Sequence, residues 1–303
     1  MPETILITGL TGRTGHYLIE RMEREREKLT GCRLVAIVRE TSDTSRIDNA
    51  HIPIEKIVGD ITDEAFLDTV MPNVATVLHI AGIHWSKPVV RAAVRAGVHR
   101  IIAVHTTGIY SKYKAAGEEY REIDAYCEKL CKDGGAALTI LRPTMIYGGL
   151  DDGNFVRFIK LCDRFSPIPV VSGGRFLLQP VHRKDLGSAY FDVLINPDKT
   201  DGKQYVLSGE RPVELREILA EMSRRLGREP KFISVPYFLA IAGAWVLFCL
   251  SIGRVDLREK VQRLVEDRSY PHDAAAADFG YSPMPLSEGI CAETEEYMAA
   301  KAR

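Results

Sequence analysis

The stretch that most constrains this chain is Thr8-Gly9-Leu10-Thr11-Gly12-Arg13-Thr14-Gly15. Thr4-Ile5-Leu6-Ile7 stands before it, a β-branched apolar run that predicts a buried strand. After it, apolar residues at Leu18, Ile19, Met22 and Leu29 predict an amphipathic helix. Strand, glycine-rich turn and helix in that order make a dinucleotide site. Gly9 allows the tight turn, Gly12 lets backbone N–H groups approach a pyrophosphate, and Gly15 lets the helix pack closely. The helix N-terminus, with Thr11, Arg13 and Thr14 around it, adds unpaired donors and a partial positive charge. An ordinary glycine loop is the competing reading, and the position between a strand and a helix argues against it. The fold class expected is α/β: a doubly wound parallel Rossmann sheet with a small C-terminal α/β unit.

The spacing T-G-x-x-G-x-x-G resembles the short-chain dehydrogenase/reductase superfamily, in its extended and atypical branches that include epimerases and dehydratases. Further segments carry the likeness. Ile57-Val-Gly-Asp60 looks like the short third strand, where the resemblance implies that Asp60, with Ile61 beside it, meets the adenine. Asp60 also suits a helix cap before Thr62-Asp-Glu, and both roles can hold. His79-Ile80-Ala81-Gly82 is similar to the H-x-A-[AG] strand end, where Ala81 and Gly82 let backbone approach the cofactor. A lone histidine such as His79 is more often structural there. Leu141-Arg-Pro143 and the following Thr-Met-Ile-Tyr-Gly148 match R-P-x-x-[IV]-Y-G, so the resemblance places Pro143 at the nicotinamide.

The second strand, Leu34-Val-Ala-Ile-Val38, ends in Arg39 rather than an acid. An acid there would hold the ribose hydroxyls of NAD, and a cation suits the extra phosphate of NADP. Arg13 supplies a second guanidinium, so NADP is favoured, while Glu40 leaves NAD open.

At the catalytic segment the likeness breaks. His105-Thr-Thr-Gly-Ile-Tyr110 resembles S-[ST]-x-x-V-Y, which places the substrate-facing hydroxyl on Thr106, with Thr107 as alternative. The family then requires Tyr-x-x-x-Lys, where lysine lowers the tyrosine pKa. Tyr110 to Lys114 has that spacing but sits before any helix. Counting back from Glu128, the acidic residue expected one turn later, gives Tyr120-x-x-x-Asp124. A carboxylate at Asp124 would raise the tyrosine pKa and repel a phenolate, unless Lys112 or Lys114 compensates. Asp124 acting as a base of its own is the alternative. A second break falls at Leu178, where the extended branch carries an arginine that clamps a nucleotide-sugar diphosphate. Arg175 or Arg183 remain as substitutes. The 176–186 segment is closer to Q-P-V-[HY]-x-x-D, as in atypical members such as the NADPH-binding accessory subunit of complex I.

These segments divide the chain into a dinucleotide-binding unit, 1–148 and 176–202, and a substrate unit, 149–175 and 203–303. The function expected is an NAD(P)-dependent oxidoreductase or epimerase/dehydratase-like enzyme, moving hydride at a carbinol carbon of a small-molecule substrate. The rival is a catalytically silent NADP(H)-binding sensor or assembly protein. Helices around 88–97 and 115–132 occupy positions that form a dimer interface in the superfamily, which implies a homodimer.

Forty Lys and Arg stand against 41 Asp and Glu, so no basic surplus points to nucleic acid. Six scattered cysteines without a ligand-like grouping suggest no metal site, and with no leader segment they suggest a reducing cytoplasm. One stretch is anomalous: residues 232–253 contain no charged side chain. A buried helix of the second unit is the favoured expectation, ahead of contact with a membrane surface through 237–253 and a possible lipid-linked substrate. A true span comes last, because about 17 apolar residues is the lower limit.

Overall fold

In the computed structural model, residues 3–113 and 115–302 are described. The chain opens with β1 (Glu3–Thr8), α1 (Gly15–Arg24), β2 (Cys32–Val38), α2 (Ser45–Asp48) and β3 (Ile54–Val58). Then come α3 (Glu64–Val70), β4 (Val74–His79), α4 (Ser86–Arg95), β5 (Arg100–Val104), α5 (Gly117–Gly134) and β6 (Ala137–Pro143). With β11 (Gln204–Leu207), these strands form one seven-stranded sheet in the order β11-β6-β5-β4-β1-β2-β3, and every pairing is parallel. The order reverses between β1 and β4, which opens a crevice beyond their C-terminal ends.

Both faces of the sheet are covered, so its strands read as near-continuous apolar runs. One face packs Leu18, Ile19 and Met22 of α1 against Tyr190 and Phe191 of α7 (Arg183–Leu194). The other packs Val89, Val90 and Ala93 of α4 against Ile123 and Cys127 of α5. Gly187 is required where α7 crosses α1, because a Cβ there would lie 2.6 Å from the Cβ of Tyr17.

Helix α1 is shorter than its apolar spacing suggests. Glu25 leaves helical geometry, and Leu29 is buried from a separate 3-10 turn, Arg26–Leu29. The alternating charges around it pair locally, Arg21 with Glu25 at 2.5 Å and Lys28 with Glu25.

The second unit has its own core. The elements after β6 are β7 (Ile146–Tyr147), α6 (Phe155–Arg164), β8 (Ile168–Val171), β9 (Leu177–Leu178) and β10 (Val181–His182), of which β10 places Val181 in the core of the main sheet. After α8 (Pro197–Thr200) and β11 come β12 (Val213–Glu214), α9 (Leu215–Arg225), β13 (Phe232–Val235), α10 (Tyr237–Leu250) and α11 (Arg258–Arg263). The chain ends with α12 (Asp273–Phe279) and α13 (Leu286–Lys301). Phe155, Ile159, Ile218, Leu219, Met222 and Ile290 fill this core between α6, α9 and α13. Strand β11, which the sequence division gave to the substrate unit, closes the edge of the main sheet by pairing with β6.

The favoured expectation for the uncharged stretch does not hold. Only Ala244 of α10 is buried. No helix among the described residues is long and apolar enough to cross a membrane.

Candidate functional site

The crevice at the reversal point widens into a cavity of about 910 Å³. Its floor is the glycine loop. Gly9 has φ +81°, and a Cβ on it would stand 2.6 Å from the backbone nitrogen of Ala81. The loop thus presses on the end of β4, and no larger residue fits. Gly12 N–H donates to the Gly9 carbonyl at 2.9 Å, and Gly15 N–H to the Gly12 carbonyl at 3.1 Å. A Cβ on Gly15 would sit 1.9 Å from the Leu10 oxygen, so α1 starts hard against its own loop. The Thr14 side chain bonds to buried Tyr190 and gives no cap to α1. Beyond the Gly15 N–H, the first-turn N–H groups take no side-chain cap and are left for an anion.

Of the cofactor residues expected from the sequence, Gly9, Thr11, Gly12, Arg13, Thr14, Arg39, Asp60, Ile61 and Ala81 line this cavity. Gly15, Gly82 and Pro143 stand behind the wall. Gly82 accepts from His79 Nε2 at 3.1 Å, and the Pro143 carbonyl accepts from the Thr107 hydroxyl at 3.1 Å. His79 is fully buried, with Nδ1 2.6 Å from the Thr8 hydroxyl, and burial drops its pKa to about 3. It is a neutral strut between β1 and β4.

The corner beyond β2 has the chemistry of a phosphate site. Arg39, Arg13 and Ser42 line it together, and Ser42 belongs to the tight turn that follows Arg39. Arg13 Nε lies 3.1 Å from Asp151 Oδ2, and Asp151 also accepts from Arg183 at 2.8 Å, which ties the loop after β7 to the glycine loop. Asp60 accepts from the Thr62 N–H and hydroxyl, both at 2.8 Å, and these bonds hold its carboxyl below the usual carboxylate range. The helix cap is Asp63 instead, which accepts from the N–H groups of Ala65 and Phe66. Glycine cradle and uncapped helix start together fit a dinucleotide, and Arg13 and Arg39 both stand on the same cavity wall.

The other end of the cavity is built differently. Thr106 lines it and accepts from Gly108 N–H at 3.0 Å, which leaves its own proton free to donate. Thr107 is turned inward on the Pro143 carbonyl. Tyr120, on the first turn of α5, is not among the described residues that line the cavity. It stands behind Gly108, where a Cβ would come 3.1 Å from its ring, and its hydroxyl is 3.5 Å from His84 Nε2. Burial raises its pKa, Glu119 adds to the rise, and Arg263 opposes it.

Asp124 does not reach the cavity and is not the cause of that rise. One turn along α5 from Tyr120, it points into the protein. Its carboxylate oxygens meet His105 Nδ1 and a terminal nitrogen of Arg142, and His105 Nε2 lies 2.9 Å from the Ser86 hydroxyl. All four groups are buried. Burial alone would raise the Asp124 carboxyl, but the bonds from His105 and Arg142 outweigh it and leave the pKa lowered. The acid that replaces lysine is therefore complemented from β5 and β6. Of the two compensating lysines considered from the sequence, Lys112 is exposed and Lys114 lies outside the described residues. Tyr110 is exposed and faces the Tyr270 ring at 5.3 Å.

Cavity residues that the sequence did not single out include Ser42, Ser111, Arg263 and Arg268. Leu178 does line the wall, and Arg268 runs beside it, donating N–H to the Leu177 carbonyl at 2.7 Å. The Arg268 Nε is buried without a partner among the described residues, and burial lowers the guanidinium pKa to about 10. Arg183 also lines the cavity, whereas Arg175 does not. Ser111 donates to Glu266 at 2.6 Å.

Residues 9–167 match the model of a family described as NAD(P)H-binding. The chain belongs to that family. It is an NAD(P)-binding member of the extended and atypical short-chain dehydrogenase/reductase superfamily. It is 26% identical over 231 residues to quinone oxidoreductase 2 of Escherichia coli (strain K12), an alignment covering 74% of this chain and 75% of that protein. Two solved structures share the fold. A dTDP-glucose 4,6-dehydratase from Streptomyces venezuelae, with NAD and TYD bound, superposes with a TM-score of 0.74 at 16% identity, covering 99% of this chain and 98% of that one. An NADPH-dependent quinone oxidoreductase of Escherichia coli gives a TM-score of 0.68 at 22% identity, covering 94% and 98%.

Proposed function

We propose that this chain is an NADPH-dependent reductase acting on a conjugated carbonyl acceptor of the quinone class. The observation that carries the reading is the single cavity: Arg13, Arg39 and Ser42 share it with Thr106, Arg268 and Tyr270. Cofactor and a second molecule thus have one common space. The dihydronicotinamide, when bound, supplies hydride. The chain's own residues orient and polarise. Thr106 offers its hydroxyl proton to a carbonyl oxygen, and the Arg268 guanidinium on the same wall favours the anionic oxygen that hydride addition creates.

The choice of a quinone-like acceptor follows from where the two expected proton-transfer residues stand. Oxidising or epimerising a carbinol requires a base to take the hydroxyl proton, and Tyr120 and Asp124 both stand outside the wall. A quinone takes hydride to give a hydroquinone anion, which collects its second proton from water without a dedicated acid. The similarity to a quinone oxidoreductase supports the same reading.

NADPH oxidation should be measured under anaerobic conditions with short-chain quinones, simple ketones and UDP- and dTDP-sugars. The expected result is quinone-dependent oxidation, with NADPH preferred over NADH by about tenfold through Arg13 and Arg39. Turnover of the sugar nucleotides alone would refute the reading. The buried neutralisation of Asp124 favours one other reading, a silent NADP(H)-binding protein. Tight NADPH binding without turnover on any acceptor would select it.

A further inference from the structure

The most unusual surface of the molecule is the one around α10. Nine of the fifteen exposed large apolar or aromatic side chains among the described residues lie between Ile233 and Val255. Phe238 is 67% exposed, Trp245 50%, Leu250 78% and Ile252 88%. A helix that is apolar on all sides normally lies in a protein core or in lipid. This one rests on α11 through a single side and turns the others outward. At 14 residues it is about 21 Å long, well short of a hydrocarbon core of about 30 Å.

We propose that α10 and the turn after it dock on the surface of an anionic bilayer, inserting Phe238, Trp245, Leu250 and Ile252 among the lipids without spanning it. Charge supports this occupant. The segment from Arg228 to Arg263 carries six Lys and Arg against three carboxylates, and none of the nine lies within 232–253. Of those carboxylates, Glu229 pairs with Lys231 at 3.0 Å, Asp256 with Arg258 at 2.7 Å, and Glu259 lies 3.8 Å from Arg263. Arg254 and Lys260 are exposed at the same end of the helix as Ile252. The Arg258 guanidinium lies over the Trp245 and Phe248 rings, at 4.2 and 4.0 Å. A flat aromatic–guanidinium pair of this kind suits the headgroup level, where one side is apolar and the other wet.

The same collar disfavours a second copy as the occupant. Before the helix, Arg228 and Lys231 are each paired with a carboxylate, Asp163 and Glu229, whereas Arg254 and Lys260 stand exposed after it, so a parallel pairing of α10 with itself brings like charges together. Headgroups of an anionic membrane neutralise that end. Position matters as well. Helix α11 touches α10 through Arg258 and lines the cavity through Arg263, so one short helix joins the docking surface to the site. If the reductase reading holds, an acceptor dissolved in the membrane would meet the cavity from this side. The docking itself does not depend on that reading.

The test is flotation of the purified chain with phosphatidylcholine vesicles and with vesicles containing phosphatidylglycerol. The expected result is flotation with the anionic vesicles, about tenfold weaker on the neutral ones and weakened by salt. Trp245→Glu and Leu250→Glu should each release the protein while NADPH binding, the control for folding, stays unchanged. No flotation with anionic vesicles, equal flotation on both kinds, or flotation that survives both substitutions would overturn the proposal. So would a dimer seen by light scattering that Leu250→Glu dissociates in a protein that ignores vesicles.

Discussion

The two ends of the cavity obey different rules. At the cofactor end, the parts are consecutive in sequence: Gly9 to Gly15 fold on each other, and Gly9 is pressed against Ala81 by one close contact. At the acceptor end, the parts come from distant segments: Thr106 after β5, Arg263 and Tyr270 from the tail, and Tyr120 held just behind the wall. The first end repeats the superfamily's geometry. At the second, a carboxylate stands where the cation is expected, and it is used inside the protein. Binding is fixed by a local motif, and chemistry is set by longer-range packing that differs from the family pattern.

The largest effect should come from cutting the buried network. Asp124→Ala leaves Arg142 without its carboxylate in a dry interior and should cost roughly 3–5 kcal/mol in denaturant unfolding. Asp124→Lys should do at least as much harm, since it sets a second cation beside Arg142 in place of its carboxylate. Restored turnover with unchanged stability in Asp124→Lys would mean that position 124 belongs to the reacting site after all.

The cofactor end should fail locally instead. Gly9→Ala drives a methyl group into Ala81 and disfavours the positive φ, so NADPH affinity should fall about 100-fold with a smaller loss of stability. Affinity within about threefold of the original would refute the close-packed cradle.

Glu293 sharpens the comparison from the second unit. It is buried, accepts from Gly148 N–H at 3.1 Å, and lies beside Asp152 of the cavity wall. Burial first, and Asp152 next, push its pKa to about 9. An unfolded chain releases this proton near the ordinary 4.5, and the folded chain holds it to about 9, so stability should fall as pH rises through that window. Glu293→Gln keeps an acceptor for the Gly148 N–H and a donor toward Asp152 without an ionisable proton. It should flatten the dependence and stabilise the protein by about 2 kcal/mol at pH 8. Parallel pH profiles for the two proteins would contradict the assignment.

These contrasts also explain what the sequence made legible. The glycine loop, the parallel sheet and Arg39 were readable because each rests on spacing within a few residues. The inward turn of Asp124 was not, because it depends on His105 and Arg142 converging from two strands. Arg263 and Arg268 carry no local signal, and they reach the cavity only through the fold of the tail. The uncharged stretch at 232–253 was conspicuous in composition, but apolar composition is the same for a core helix and an exposed one. Only its exposure in the fold, with Ala244 alone buried along the helix, separates them.

A smaller effect tests the phosphate corner: Arg39→Asp should reduce the preference for NADPH over NADH by about tenfold, read from paired titrations. An unchanged ratio would shift the discrimination to Arg13 and Ser42.

The most direct test of the central claim is single-turnover oxidation of NADPH by a short-chain quinone in Tyr120→Phe beside the unmodified protein. With the phenol behind Gly108 and outside the wall, the account predicts rates within about twofold of each other. A loss of about 100-fold or more, the size of a general acid's contribution, would show that Tyr120 donates a proton at the reacting centre and would contradict it.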